Sequence, residues 1–226
     1  MPEPGLLIAK GRAADVYAYG DGLVLRRYRT DHDCLYEAAV MQHIHAHGYP
    51  VPEVMEVSGR DIVMERIDGS TMLADFTKHP WLLGRHARTL ADLIKRLHAI
   101  DPPPWLRQKL GGGDAIVHLD IHPDNVMLSS HGPVVIDWSN AGRGVPEAEV
   151  ADLWLIMANA TPPVGRLDRI LLQVGRRLFL RAFLKHFDRD AIRRHLEVAA
   201  EHRLRDRNLL DQERERTRRF VARWKL

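Results

Sequence analysis

The sequence predicts an α+β chain in which a small antiparallel sheet with one inserted helix precedes a mostly helical remainder. Runs rich in β-branched and aromatic residues, separated by Gly-bearing turns, concentrate in the first 65 of its 226 residues. Past residue 69 the apolar positions recur mainly at helical spacing. A hydrophobic share of 45% supports a core in one large domain or in two lobes.

Leu6-Leu7-Ile8-Ala9 reads as a first short strand. Val16-Tyr17-Ala18-Tyr19 and Leu23-Val24-Leu25-Arg26-Arg27-Tyr28 flank Gly20-Asp21-Gly22, the composition of a hairpin turn. Residues 31–47 carry a helix. Asp31 or Asp33 caps it, Leu35, Ala38, Ala39, Met41 and Ile44 mark an apolar stripe, and Gly48 with Pro50 and Pro52 stops it. Val54-Met55-Glu56-Val57 and Ile62-Val63-Met64-Glu65 are two further strands around Ser58-Gly59-Arg60-Asp61. The expected boundaries are a β-rich unit over 1–65, a connector over 66–69 and a helical unit over 70–226. Within the last, an amphipathic segment over 81–100 ends at Asp101-Pro102-Pro103-Pro104. Gly111-Gly112-Gly113 is a loop, and Ile116-Val117, Val126-Met127-Leu128 and Val134-Val135-Ile136 are short strands. From Glu147 onward the pattern is nearly all helix, punctuated at Thr161-Pro162-Pro163.

Composition narrows the function classes. Cys34 is the single cysteine, which rules out an internal disulfide, and its place on a helix reads as that of a half-buried apolar residue. No run of about 18 uncharged apolar residues appears, so no membrane span is expected. Met1-Pro2-Glu3-Pro4-Gly5 lacks the basic and apolar regions of a signal peptide, and the expected compartment is the cytoplasm. The net charge of +3 is uneven: residues 161–226 hold 18 Lys/Arg and 9 Asp/Glu, the remainder 15 and 21. In this basic tail Arg alternates with Glu, Asp and Leu at helical spacing, as in Glu201-His202-Arg203-Leu204-Arg205-Asp206-Arg207, the pattern of a solvated helix face. Aromatic residues do not interleave with the arginines before Phe220 and Trp224, which points away from nucleic acid as a partner. His43, His45 and His47, two apart on a helix, point to different faces and do not form a metal site.

The chemistry concentrates in His118-Leu119-Asp120-Ile121-His122-Pro123-Asp124-Asn125, with Asp137 twelve residues beyond Asn125 in Val134-Val135-Ile136-Asp137-Trp138. Phosphoryl transfer from ATP needs a carboxylate to orient an acceptor hydroxyl and take its proton. It also needs oxygen ligands that hold Mg²⁺ against the phosphates. An Asp and an Asn five apart on a loop between short strands, with a second Asp after the next strand pair, supply that set. The turn Ser129-Ser130-His131-Gly132 returns Asp137 toward Asn125.

These residues resemble the aminoglycoside phosphotransferase family, within the protein-kinase-like superfamily, and the resemblance runs in order along nearly the whole chain. It implies a two-lobed protein-kinase-like fold, with a small antiparallel-sheet N-lobe and a mostly helical C-lobe. By position, it implies that Asp120 is the catalytic base and that Asn125 and Asp137 are the Mg²⁺ ligands. His118 buttresses the catalytic loop over 118–125, and Asp152 is the helix-borne carboxylate that steadies it. The metal strand is 134–138. Arg26 stands where the family has a phosphate-contacting Lys, with Glu37 as its partner. Gly11 lies in the loop over the phosphates, Gly11-Arg12-Ala13-Ala14-Asp15, which has no Walker pattern. The connector is the hinge, with Glu65 and Ile67 meeting adenine through their backbone. Leu119 stands where the family often has Gly.

The implied activity is ATP-dependent transfer of the γ-phosphate to a hydroxyl of a small molecule, aminoglycoside-like or another metabolite, with GTP an alternative donor. Glu147 and Glu149 are the acidic residues available to a polycationic acceptor, while the Arg-rich C-terminal helices and the short stretch from hinge to catalytic loop weaken that choice. Alternatives are a kinase-like nucleotide-binding protein without activity, suggested by Arg26, and an atypical kinase acting on proteins, suggested by the short chain and basic tail. The alternation of His118, Asp120, His122 and Asp124 also suits a metallohydrolase, but that reading leaves Asn125 and Asp137 without a role.

Overall fold

A computed structural model of the chain describes residues 3–159, 166–205, 209 and 211–224. In chain order the elements are β1 (Leu7–Lys10), β2 (Ala14–Ala18), β3 (Leu23–Tyr28), α1 (Cys34–Ala46), β4 (Val54–Ser58), β5 (Asp61–Glu65) and β6 (Ser70–Thr71). There follow α2 (Met72–Lys78), α3 (Leu83–His98), β7 (Gln108–Leu110), β8 (Ala115–Val117), β9 (Val126–Ser129), β10 (Gly132–Val135) and β11 (Gly142–Gly144). Helices α4 (Pro146–Asn159), α5 (Arg166–Phe183), α6 (Arg189–Arg194), α7 (Leu196–Leu204) and α8 (Asp211–Trp224) complete the chain. The break expected at Thr161-Pro162-Pro163 lies outside the described residues.

The chain divides into two compact units, Met1–Ser70 with Met127–Ala141, and Thr71–Val126 with Gly142–Leu226. The first unit is built on an antiparallel sheet of order β1-β2-β3-β5-β4. Gly20 and Gly22 take φ of +60° and +71°, the left-handed region that lets β2 turn straight into β3, with Ala18 opposite Val24. Helix α1 covers the sheet. Its N-cap is Asp33, whose side chain accepts the Tyr36 N–H at 3.1 Å. The buried stripe of α1 runs through Cys34, Glu37, Ala38, Met41 and Ile44, so it enters at Cys34, and Leu35 is 72% exposed. A carboxylate, Glu37, therefore lies within the buried face.

The segment carrying Asp137 belongs to this first unit, although the sequence boundaries placed it with the helical part. Long-range bonds account for that. The Val135 N–H donates to the Pro50 carbonyl at 2.9 Å, the Tyr36 hydroxyl donates to the Ala141 carbonyl at 3.2 Å, and Tyr49 meets Trp138 edge-on.

The second unit is helical. In α3 the side chains of Ala87, Leu90, Ala91, Ile94 and Leu97 are fully buried, on the face that meets α5. The helix starts at Leu83 after a 3₁₀ turn over Pro80–Leu82, and Trp81, counted into it from sequence, is 75% exposed. Helix α4 is largely buried, with α5, α6, α7 and α8 around it. A three-stranded sheet, β7-β11-β8, stands before α4, and β11, with the sequence Gly-Arg-Gly, carries no strand signal of its own. Among the described residues no helix is long and apolar enough to cross a membrane.

Candidate active site

Each unit carries one group of the sequence-predicted site residues. In the first unit the Arg26 side chain, on β3, is 12% exposed and sits between two carboxylates. Its Nη1 lies 3.3 Å from Glu37 Oε1, and its Nη2 donates to Asp137 Oδ1 at 2.5 Å. Burial works against the Arg26 charge, but Asp137 and Glu37 outweigh it and raise its pKa above that of an ordinary guanidinium. Glu37 is anchored twice more: the Tyr28 hydroxyl donates to Oε2 at 2.5 Å, and His32 Nε2 lies 2.9 Å from the same oxygen. Burial pushes the Tyr28 phenol up, so it stays a donor. Tyr28 and His32 stack with ring centroids 3.9 Å apart. Asp137 adopts φ of +65°, and its Oδ1 also accepts the Ser139 hydroxyl at 3.0 Å.

The loop at Gly11 is tight. A Cβ at Gly11 would stand 2.8 Å from the Ala14 carbonyl oxygen, which accepts the Gly11 N–H at 2.9 Å. Arg29, at the foot of β3, ties the loop down by donating to the carbonyls of Gly11 and Arg12 at 2.8 Å each and to both Asp15 oxygens. The hinge candidates lie at and after the end of β5, with the Glu65 N–H donated to the Glu53 carbonyl at 2.8 Å and Ile67 two residues on.

In the second unit the loop over 118–125 leaves β8. His118 is fully buried, and its Nδ1 accepts the Asp120 N–H at 3.3 Å. Leu119 has φ of +63°, a conformation glycine adopts without strain, which accounts for the Gly usual at this position. Leu119 compensates by burying its side chain with Leu110, Val117 and Ala148. The loop ends in a 3₁₀ turn over Pro123–Asn125, where His122 Nδ1 accepts the Asp124 N–H at 3.2 Å. Asp124 Oδ1 accepts the Thr71 hydroxyl at 2.9 Å. Asn125 folds back on the loop, its Nδ2 donating to the Asp120 carbonyl at 2.9 Å and to Asp120 Oδ2 at 3.3 Å.

Two residues not singled out as loop supports do much of the holding. Glu149 Oε1 accepts the backbone N–H groups of His118 and of Leu119, the latter at 3.0 Å, while His98 Nε2 lies 2.5 Å from Oε2. Burial disfavours the Glu149 charge, but the His98 hydrogen bond and the Leu119 N–H outweigh it and hold the carboxyl below the usual range. Glu149 is 1% exposed, so it is not the acidic lining for an acceptor suggested from sequence. Asp152, one helical turn further along α4, bonds to Arg203, which donates from Nε at 2.7 Å and from Nη2 at 2.9 Å. The sequence signal for either role is faint: Glu149 differs from Asp152 only by one turn, and Arg203 sits in a run that reads as solvated. Among the described residues no group of three or more His, Cys, Asp and Glu is gathered as a metal site.

The sequence matches the model of the phosphotransferase enzyme family over residues 5–111 and 105–187. A thiamine kinase of Salmonella paratyphi B is 38% identical over 82 residues, covering 29% of this chain and 30% of the relative. A thiamine kinase of Salmonella heidelberg is 39% identical over 62 residues, covering 24% and 23%. The matched segment thus spans less than a third of the length of these curated relatives. A thermostable mutant of aminoglycoside phosphotransferase APH(4)-Ia has TM-score 0.67 at 16% identity, covering 96% of this chain and 94% of that one. A choline/ethanolamine kinase family protein from Mesorhizobium loti has TM-score 0.63 at 16% identity, covering 97% and 87%. These likenesses show a shared kinase-like α+β fold, and with a family match spanning most of its length the chain belongs to the phosphotransferase enzyme family.

Proposed function

We propose that this chain is a cytoplasmic, ATP-dependent phosphotransferase that moves the γ-phosphate to a hydroxyl of a small molecule. The observation that carries the reading is the treatment of Asp120. Its loop is held by Glu149 through two backbone N–H groups, and its Oδ2 faces the Asn125 amide. A carboxylate fixed in this way is suited to orient an acceptor hydroxyl and receive its proton. Asn125 uses Nδ2 on Asp120, which leaves its amide oxygen as the atom it would offer to a cation. The Asp137 carboxylate is likewise a hard oxygen donor, the type that Mg²⁺ would take alongside substrate phosphates. When bound, the ion neutralises phosphate charge. Arg26, held as a cation by two carboxylates, contacts the phosphates, and Glu65 and Ile67 offer backbone to adenine. The names of the relatives, thiamine kinase above all, support a small-molecule acceptor.

Thermal unfolding with and without nucleotide tests the donor half of this reading. A ligand bound only by the folded chain stabilises it by RT ln(1 + [L]/Kd), about 2.7 kcal/mol at a hundredfold excess over Kd. Saturating Mg²⁺-ATP is expected to raise Tm by several degrees, and Asp137→Asn to diminish the rise. An unchanged Tm counts against the nucleotide site as a whole.

A further inference from the structure

Arg203, on α7, is read from sequence as part of a solvated Arg/Glu face, yet its side chain is 13% exposed and directed inward. Its Nε and Nη2 fork onto Asp152, which is itself 1% exposed on α4. The same Nη2 stands 3.6 Å from Asp120 Oδ1. Asp120 thus has a cation beside one oxygen and the Asn125 amide on the other, with His122 Nε2 3.8 Å from Oδ2. A side chain with several rotatable bonds is a poor positioner unless its head is fixed. The planar fork onto a buried carboxylate fixes it at the cost of little additional entropy.

We propose that Arg203 is a positioning residue for the base: α4 and α7, through Asp152 and Arg203, set the direction of the Asp120 carboxylate. This rests on the reading of Asp120 as the residue that takes the acceptor proton. Asn125 restrains Asp120 from within the loop, whereas Arg203 restrains it from a helix 83 residues away in sequence. The C-terminal helices are by this account a working part of the site. Misplacing a reacting group by about 1 Å costs on the order of a hundredfold in rate, so loss of this restraint falls on kcat, while Arg203 leaves nucleotide affinity alone.

The test measures steady-state turnover of Mg²⁺-ATP with thiamine and with water as acceptors. It compares the parent, Arg203→Ala, Arg203→Lys and the double variant Asp152→Asn/Arg203→Met, which removes both charges so that no buried carboxylate is stranded. Arg203→Ala and the double variant are expected to lose kcat by about ten- to a hundredfold with KM for ATP unchanged. Arg203→Lys is expected to recover part of the loss, and added guanidinium to restore part of it in Arg203→Ala. Crystal structures of the parent and the double variant supply a readout independent of turnover, with the Asp120 carboxylate expected to rotate away from its parental position. An unmoved Asp120, or parental kcat in the double variant, overturns the proposal. Asp120→Asn in the same assay separates this from the underlying reading: full turnover in Asp120→Asn removes the base itself, whatever Arg203 does.

Discussion

Arg26 bears a heavy electrostatic load in the first unit. One guanidinium serves two carboxylates, with Nη1 toward Glu37 and Nη2 on Asp137, and Glu37 has almost no access to water. Removing the cation by Arg26→Ala leaves that buried carboxylate with Tyr28 and His32 alone, and such losses cost about 3–5 kcal/mol. Arg26→Ala is therefore expected to unfold at clearly lower urea and to bind ATP more weakly. Arg26→Lys keeps the charge but has one ammonium where two forked nitrogens stood. It is expected to cost less, about 1–2 kcal/mol, and to keep or improve turnover, since Lys is the residue usual in the family. Calorimetric titration with Mg²⁺-ATP beside urea unfolding separates the two effects, and parental behaviour of Arg26→Ala in both would mean that Arg26 has neither role. Leu119 poses the opposite trade. Its left-handed backbone costs about 1–2 kcal/mol, while burying the side chain is worth about 2–5 kcal/mol when lost to a cavity. Leu119→Gly is thus expected to be destabilising overall, and a rise in Tm would show strain to be the greater term.

Helix α4 holds the loop over 118–125. Glu149 turns the N-terminal part of a buried helix into an acceptor for two loop N–H groups, and His98 from α3 holds its other oxygen. Because the folded carboxyl titrates below the ordinary glutamate value of 4.5, its contribution is fully present above that pH. It is lost as pH falls through the depressed folded value. Glu149→Gln is expected to be less stable than the parent at neutral pH by about 2 kcal/mol, the range of hydrogen bonds to a charged group. The gap should narrow progressively below pH 4.5. Urea unfolding at pH 7 and pH 4 reads both quantities, and a gap independent of pH would assign acid sensitivity to other carboxylates. Elements of this kind were partly legible. The β2–β3 hairpin and the start and stop of α1 follow from local turn and cap chemistry around Gly20, Gly22, Asp33 and Gly48. Strand β11 and the holding role of Glu149 were not, since both depend on partners 25 to 35 residues away in sequence.

For the molecule as a whole, order along the chain differs from order in space. The hairpin of β9 and β10 and the segment through Ala141 follow the loop over 118–125 in sequence but join the first unit, because Pro50, Tyr36 and Tyr49 supply the partners. Hydrophobic spacing fixes which face of an element is buried and says little about which unit receives it. The spacing of His118, Asp120, Asn125 and Asp137 is compact enough for sequence to single them out as candidates, whereas the contact of Arg203 with Asp152 and Asp120 comes from a distant helix and left no local signal. On the reading proposed above, one group of residues would supply charge to phosphates and metal and the other a base. Their joint use is tested most directly by ³¹P NMR of Mg²⁺-ATP incubated with the protein and, in turn, thiamine, choline, ethanolamine and hygromycin B. Transfer to a hydroxyl is expected to yield ADP and one new phosphomonoester resonance with at least one acceptor, and Asp120→Asn to abolish that resonance while still binding Mg²⁺-ATP. A phosphomonoester formed equally well by Asp120→Asn, or ATP left intact by the parent with every acceptor, would contradict the assignment.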